Sequence, residues 1–170
     1  PQHLPQHYQK LVADCAVIKI VCPSAETLME DLLQLFGLNE TAVAKIIITR
    51  GEGERGYALP KVTAPTRVVM KSKLPQYADK YYTNGVHLHL CNTRLSAQKS
   101  LAGIKHLNRL ENVLARMEWQ DAETFDGVLL DHQENVIECT MSNLFARYGD
   151  TMITPDLSQC GVAGITRQQI

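Results

Sequence analysis

The sequence predicts an α+β fold in two parts, on three observations. Apolar residues recur at helical spacing in the first part. Short β-rich runs separated by polar turns fill the second. A polar stretch from Leu74 to Asn84, with Pro75 and several tyrosines, lies between them. Residues 1–83 are then expected to form part of a small N-terminal α/β domain, and residues 84–170 part of a larger β-rich domain.

The elements follow in order. Tyr8, Leu11, Val12, Cys15 and Ile18 have the spacing of a helix over 6–19. Ser24 suits an N-cap for a second helix to Leu35, with Leu28, Leu32 and Leu35 on one face and Gly37 ending it. Ala42 to Thr49, centred on Ile46-Ile47-Ile48, reads as a strand. Thr66 to Ser72 returns beside it after the glycine-rich loop Arg50-Gly51-Glu52-Gly53-Glu54-Arg55-Gly56-Tyr57. Gly85 to Asn92 alternates, which predicts a half-exposed strand with Val86, Leu88 and Leu90 on one face and His87, His89 and Cys91 on the other. A helix is expected over 105–120, with Leu107, Leu110, Leu114 and Met117 as its stripe. Gly127 to Leu130, Val136 to Cys139, Asn143 to Tyr148 and Thr151 to Ile153 read as short strands. Pro155 to Ala163 is a loop before a helix that starts at Gly164.

Bulk properties narrow the function. The chain has 170 residues, 45% of them hydrophobic, and a formal net charge of -1. It has no basic stripe for nucleic acid, and no run of about 18 apolar residues for a membrane helix. The polar segment Pro1 to Gln9 does not read as a signal peptide. Cys15, Cys22, Cys91, Cys139 and Cys160 lack metal-ligand spacing and fit reduced thiols in a cytoplasmic protein. His87 and His89 share a face but have no third ligand nearby, so no metal is expected. The missing initiator methionine and the single turn of helix before Ile170 suggest a piece of a longer chain, with flanks that help complete the site.

Four features could carry chemistry. Lys105 sits at an expected helix start, where the macrodipole favours a neutral amine that can attack a carbonyl and form a Schiff base. An ordinary surface lysine is the plain alternative. Gly164-Ile165-Thr166 offers main-chain N–H groups and a hydroxyl to a phosphate, or is a simple cap. Glu138 lies in the apolar run Val136-Ile137-Glu138-Cys139, where a charge needs a reason; it could hold a ring nitrogen protonated, or face solvent. Arg55, with Tyr57 two residues on, suits a bidentate carboxylate contact, or belongs to a solvated hairpin loop. That loop lacks the lysine and hydroxyl residue of a nucleotide-binding P-loop.

Taken together, Leu101 to Glu111, Arg50 to Tyr57, Glu138 with Ser142-Asn143-Leu144-Phe145, and Gly161-Val162 leading to Gly164-Ile165-Thr166-Arg167 resemble the fold-type IV pyridoxal-phosphate enzymes, the aminotransferase class IV family. The resemblance covers essentially the whole chain. It implies pyridoxal 5'-phosphate as cofactor, two domains with the cofactor between them, and a homodimer. It also implies that Lys105 holds the cofactor and moves a proton, Glu138 pairs with its ring nitrogen, and Ile165 and Thr166 bind its phosphate. Arg55 and Tyr57 then contact a substrate carboxylate. Lys10 matches a position that is usually arginine, where it keeps the charge but loses the fork.

His106, Arg109 and the Arg-Gly-Tyr end of the glycine loop are similar to members that act as lyases on 4-amino-4-deoxychorismate, releasing 4-aminobenzoate and pyruvate for folate synthesis. A branched-chain or D-amino-acid aminotransferase on the same scaffold is the alternative. A non-catalytic remnant of the fold, or a phosphate-binding module that uses only the Gly164 junction, are the readings outside this chemistry.

Overall fold

A computed structural model describes residues 2–37 and 40–170. The chain divides into two compact units, Pro1–Tyr77 and Ala78–Ile170.

The N-terminal unit contains α1 (Leu4–Val17), α2 (Ala25–Leu35), β1 (Val43–Thr49) and β2 (Thr66–Ser72). The Ser24 hydroxyl accepts from the Thr27 amide at 3.2 Å and so caps α2, and Leu28 and Leu32 are the residues this helix buries. β1 and β2 pair antiparallel from Val43 opposite Ser72 to Thr49 opposite Thr66. Arg67 donates to Asp31 at 2.7 Å and Lys71 to the Leu35 carbonyl at 3.1 Å, which ties β2 to α2. Arg50 donates to the Lys19 and Ile18 carbonyls at 2.6 and 2.5 Å, so its guanidinium closes the end of α1.

The C-terminal unit contains α3 (Lys80–Thr83), β3 (His87–Leu95), α4 (Leu110–Arg116), β4 (Thr124–Asp131), β5 (Val136–Cys139), β6 (Ala146–Tyr148), β7 (Thr151–Ile153) and α5 (Ile165–Gln169). Its main sheet runs β3-β4-β5. β3 and β4 are parallel with α4 in the connection between them, and β5 returns antiparallel to β4. β6 and β7 form a separate hairpin. Cys91, Leu95, Ala115, Trp119, Leu129, Ile137, Leu157 and Cys160 form one core cluster. Burial pushes the Cys91, Cys139 and Cys160 thiols up to about 11, so they pack as neutral side chains.

Three expectations are corrected here. The helix expected over 105–120 is limited to Leu110–Arg116. The chain before it is irregular instead, and is held at Gly103: the Gly103 amide donates to the Gly161 carbonyl at 2.9 Å, and the Ala163 amide to the Gly103 carbonyl at 3.0 Å. Its stripe is also reversed. Leu107, Leu110, Leu114 and Met117 are exposed, while Ala115 is fully buried in the cluster with Trp119.

β3 is half-exposed, and it turns the face of His89 and Cys91 inward. Leu88 and Leu90 are exposed; Cys91 is buried, and the His89 ring lies 5.4 Å from that of Trp119. Glu118 secures this face by accepting from His89 Nε2 at 3.2 Å, the Asn92 amide at 2.6 Å, and the Thr93 amide and hydroxyl at 2.8 and 2.7 Å. These bonds satisfy polar groups where the β3–β4 register shifts between Leu90 and Arg94. The strand expected from Asn143 begins only at Ala146, because Asn143 is engaged elsewhere. Among the described residues, no helix is long and apolar enough to cross a membrane.

Candidate active site

Glu138 sits on β5 opposite Leu129 and is only 3% exposed. Its neighbours Ile137 and Cys139 are buried too, so both faces of this short strand are covered. Glu138 Oε2 accepts from the Val162 amide at 2.8 Å. Oε1 is buried and takes no hydrogen bond among the described residues. Arg109 Nη1 stands 4.0 Å from it. Burial raises the pKa of Glu138, while the Val162 amide, the charges of Arg109 and Lys105, and the side chain of Asn112 act in the opposite direction. A buried carboxyl oxygen without a donor is costly, so it marks a place for one.

Lys105 lies exposed in the irregular segment before α4, not at a helix start, so the macrodipole expected to act on it is five residues away at Leu110. The segment is pinned on both sides of the lysine. Gly103 pairs with Val162 in a parallel bridge, and Arg109 Nη2 donates to the Ile104 carbonyl at 2.5 Å. The same Val162 bonds Glu138, so the lysine segment and the carboxylate are anchored on one strip of chain.

That strip continues into the candidate phosphate cradle. Asn143 clamps it, with Nδ2 donating to the Val162 carbonyl at 2.8 Å and Oδ1 accepting from the Gly164 amide at 3.2 Å. Gly161 adopts φ +81°, and a Cβ there would lie 2.8 Å from Leu157 and 2.9 Å from Ile137. A Cβ on Gly164 would meet Asn143 Oδ1 at 2.4 Å. The Gly164 N–H, expected to be open, is therefore used by the clamp. The N–H groups of Ile165 and Thr166 have no partner among the described residues and lie at the start of α5, with the exposed Thr166 hydroxyl beside them. Arg167 anchors α5 by donating to the Pro155 carbonyl at 2.9 Å and Thr154 Oγ1 at 3.2 Å.

Lys105, Glu138, Ile165 and Thr166 thus belong to the C-terminal unit and are joined through residues 161–164. Lys10, Arg55 and Tyr57 belong to the N-terminal unit. Lys10 lies on α1 with Nζ 2.5 Å from Asp14 Oδ1. Arg55 and Tyr57 are exposed in the connection between β1 and β2.

Sequence reasoning assigns no role to two supporting residues. Asn143 lies in the Ser142-Asn143-Leu144-Phe145 match, but nothing local marks it as a clamp. Asp126 is 1% exposed; its Oδ1 accepts from the Gly127 amide, the Thr140 amide and the Thr140 hydroxyl at 2.8, 3.1 and 2.6 Å, and its Oδ2 accepts from the Ser142 hydroxyl at 2.9 Å. It shapes the turn from which Asn143 projects. A carboxylate inside an apolar strand is the signal that singled out Glu138, and it applied equally to Asp126.

An exposed amine, a buried carboxyl oxygen awaiting a donor, and two open N–H groups beside a hydroxyl make up the donor set. It fits a group with a reactive carbonyl, a basic ring nitrogen and a phosphate.

The family model for amino-transferase class IV matches residues 1–170. The chain is 36% identical over 169 residues to aminodeoxychorismate lyase of Vibrio harveyi, covering 99% of this chain and 62% of that protein. It superposes on the crystal structure of 4-amino-4-deoxychorismate lyase from Pseudomonas aeruginosa with a TM-score of 0.91 and 43% identity, covering 98% of this chain and 61% of that one. The branched-chain aminotransferase of Thermoproteus uzoniensis shares the fold, with a TM-score of 0.80, 18% identity, and coverage of 98% and 57%. The chain therefore spans about three-fifths of the length of these relatives.

Proposed function

This chain belongs to the amino-transferase class IV family, and we propose that its protein is a pyridoxal-phosphate-dependent lyase that converts 4-amino-4-deoxychorismate to 4-aminobenzoate and pyruvate. One observation carries the cofactor reading: the buried Glu138 Oε1 without a hydrogen-bond donor, in a site with an exposed lysine. The lyase reading draws support from 43% and 36% identity to two lyases, against 18% to 27% to branched-chain aminotransferases and their like.

When bound, pyridoxal phosphate supplies an electron sink for a carbanion next to the substrate amine. The chain's own residues do the rest. The Lys105 amine would hold the cofactor at its carbonyl carbon and, as a free amine, would take the proton from the substrate's α carbon. Glu138 Oε1 would accept from the ring N–H and so favour a protonated ring nitrogen. The Ile165 and Thr166 amides and the Thr166 hydroxyl bind phosphate, and Lys10 adds a positive charge for the same anion. Arg55, with Tyr57, engages a substrate carboxylate. The two units are the small domain and the large cofactor-binding domain of a cytoplasmic homodimer.

Incubation with 4-amino-4-deoxychorismate should release 4-aminobenzoate with no keto acid added. Product formed only when a keto-acid acceptor and an amino donor are supplied would assign the protein to the aminotransferases instead. A visible band at about 400–430 nm, and borohydride trapping of the cofactor on Lys105, check the cofactor separately. Trapping at any other residue overturns the assignment.

A further inference from the structure

Arg109 occupies a place in the C-terminal unit that neither binding nor proton transfer accounts for. Its guanidinium reaches in two directions. Nη2 donates to the Ile104 carbonyl at 2.5 Å, one residue before Lys105, while Nη1 stands 4.0 Å from Glu138 Oε1. The first contact is a hydrogen bond to the main chain. The second is too long for one, so it supplies positive charge while leaving the oxygen free to accept from another donor.

We propose that Arg109 is the positioning residue of this site, bracing the chain beside Lys105 and holding the Glu138 carboxylate ionised without consuming its free oxygen. The proposal rests on the assignment of Lys105 and Glu138 to pyridoxal phosphate. The surroundings of Glu138 explain why this charge matters. Burial is the strongest influence on the carboxylate, and it favours the neutral acid. Facing Glu138 are Val162, Asn112, Lys105 and Arg109, with the thiols of Cys139 and Cys160 close by. Both thiols are pushed up to about 11 and stay uncharged at neutral pH. Of the two cations, Lys105 must exchange protons during the reaction, whereas a guanidinium stays charged throughout. A fixed charge therefore has to come from Arg109. Its planar fork also lets one side chain serve both the carbonyl and the carboxylate, which an ammonium cannot do in the same geometry.

The test compares Arg109→Gln with Arg109→Lys in the full chain. In the cofactor-free protein, the 13C carboxyl signal of Glu138, assigned with Glu138→Gln, reports ionisation directly. Arg109→Gln should raise that titration by about one pH unit, and Arg109→Lys by less than about half as much. With pyridoxal phosphate bound, the pH profile of the visible band should move with the Gln variant and stay near wild type with the Lys variant. Borohydride trapping on Lys105 should slow about tenfold in both, because neither replacement restores the fork to Ile104.

An unchanged Glu138 titration in Arg109→Gln overturns the electrostatic role. Unchanged trapping in Arg109→Lys overturns the brace, and that measurement stands even if the Gln variant unfolds. If wild type itself gives no adduct on Lys105, the cofactor assignment falls. Arg109 is then judged on the cofactor-free titration alone.

Discussion

The two units place their candidate residues on different foundations. In the C-terminal unit, Lys105, Glu138 and the start of α5 are tied to one strip, residues 161–164, by main-chain bonds, the Asn143 clamp and the Glu138–Val162 bond. That strip rests on a core containing Leu129, Ile137, Leu157 and Cys160. In the N-terminal unit, the buried apolar side chains among the described residues are Cys15, Leu28 and Leu32, and the candidates Arg55 and Tyr57 lie exposed on a loop. The difference separates a preorganised site from groups that acquire their role on binding. A residue fixed by a packed shell loses little entropy when the ligand arrives, whereas an exposed loop side chain must be ordered at that moment.

This contrast can be broken most strongly at the lysine. Lys105→Ala should lower 4-aminobenzoate formation by about 10³-fold or more and abolish borohydride trapping, with far-UV circular dichroism unchanged because the side chain is exposed. Residual trapping would move the amine elsewhere.

Asp126→Ala should destabilise the C-terminal unit by about 2 kcal/mol, since it removes the acceptor of the buried Gly127 amide and of the Thr140 and Ser142 hydroxyls. Urea unfolding measures this, and a loss under about 1 kcal/mol would mean that water replaces the carboxylate easily. Cofactor affinity should weaken in parallel, because the same turn carries Asn143.

Glu118 tests the packed shell by pH. Burial pushes its pKa up, but bonds from the Thr93 hydroxyl, the Asn92 and Thr93 amides and His89 outweigh it and bring the carboxyl down to about 2, below the ordinary glutamate value of 4.5. The folded state thus binds this proton less tightly than the unfolded chain. The stabilisation is fully present above pH 4.5 and disappears as pH falls towards about 2. Glu118→Ala should cost about 2 kcal/mol at neutral pH and much less near pH 2. Equal losses at both pH values would remove the ionised carboxylate from the account.

The smallest expected effect on stability lies in the other unit. Arg55→Ala should change unfolding free energy by less than about 0.5 kcal/mol while raising KM about tenfold. A large destabilisation would show that the loop is packed after all, and the contrast between the units would fail.

The residues that show chemistry in the sequence do so by breaking a local pattern. Glu138 is legible because a charge interrupts an apolar strand, and the Gly161–Thr166 segment because glycines precede hydroxyl and cationic residues. The β1–β2 pair and the Ser24 cap are legible because local propensity and packing agree there. Patterning misleads where tertiary contacts override it. Leu107, Leu110, Leu114 and Met117 have the spacing of a buried stripe, yet Ala115 faces the core. Arg109 and Asn143 fall within the family-like segments, but their tasks carry no local signal, because each acts on residues distant in sequence or on main-chain atoms that any residue would present.

The amino-acid order alone determines the element types, the family motifs and the chemical kinds of group available: an amine, a carboxylate and a glycine turn that ends in a hydroxyl. Those properties depend on side-chain identity and short-range spacing. Only the tertiary structure decides that the chain around Lys105 is irregular instead of helical, that the Gly164 N–H is already taken, and that one oxygen of Glu138 is satisfied while the other is left free. Each of these is set by a partner many residues away, and a hydrogen bond formed across that distance leaves no trace in local periodicity.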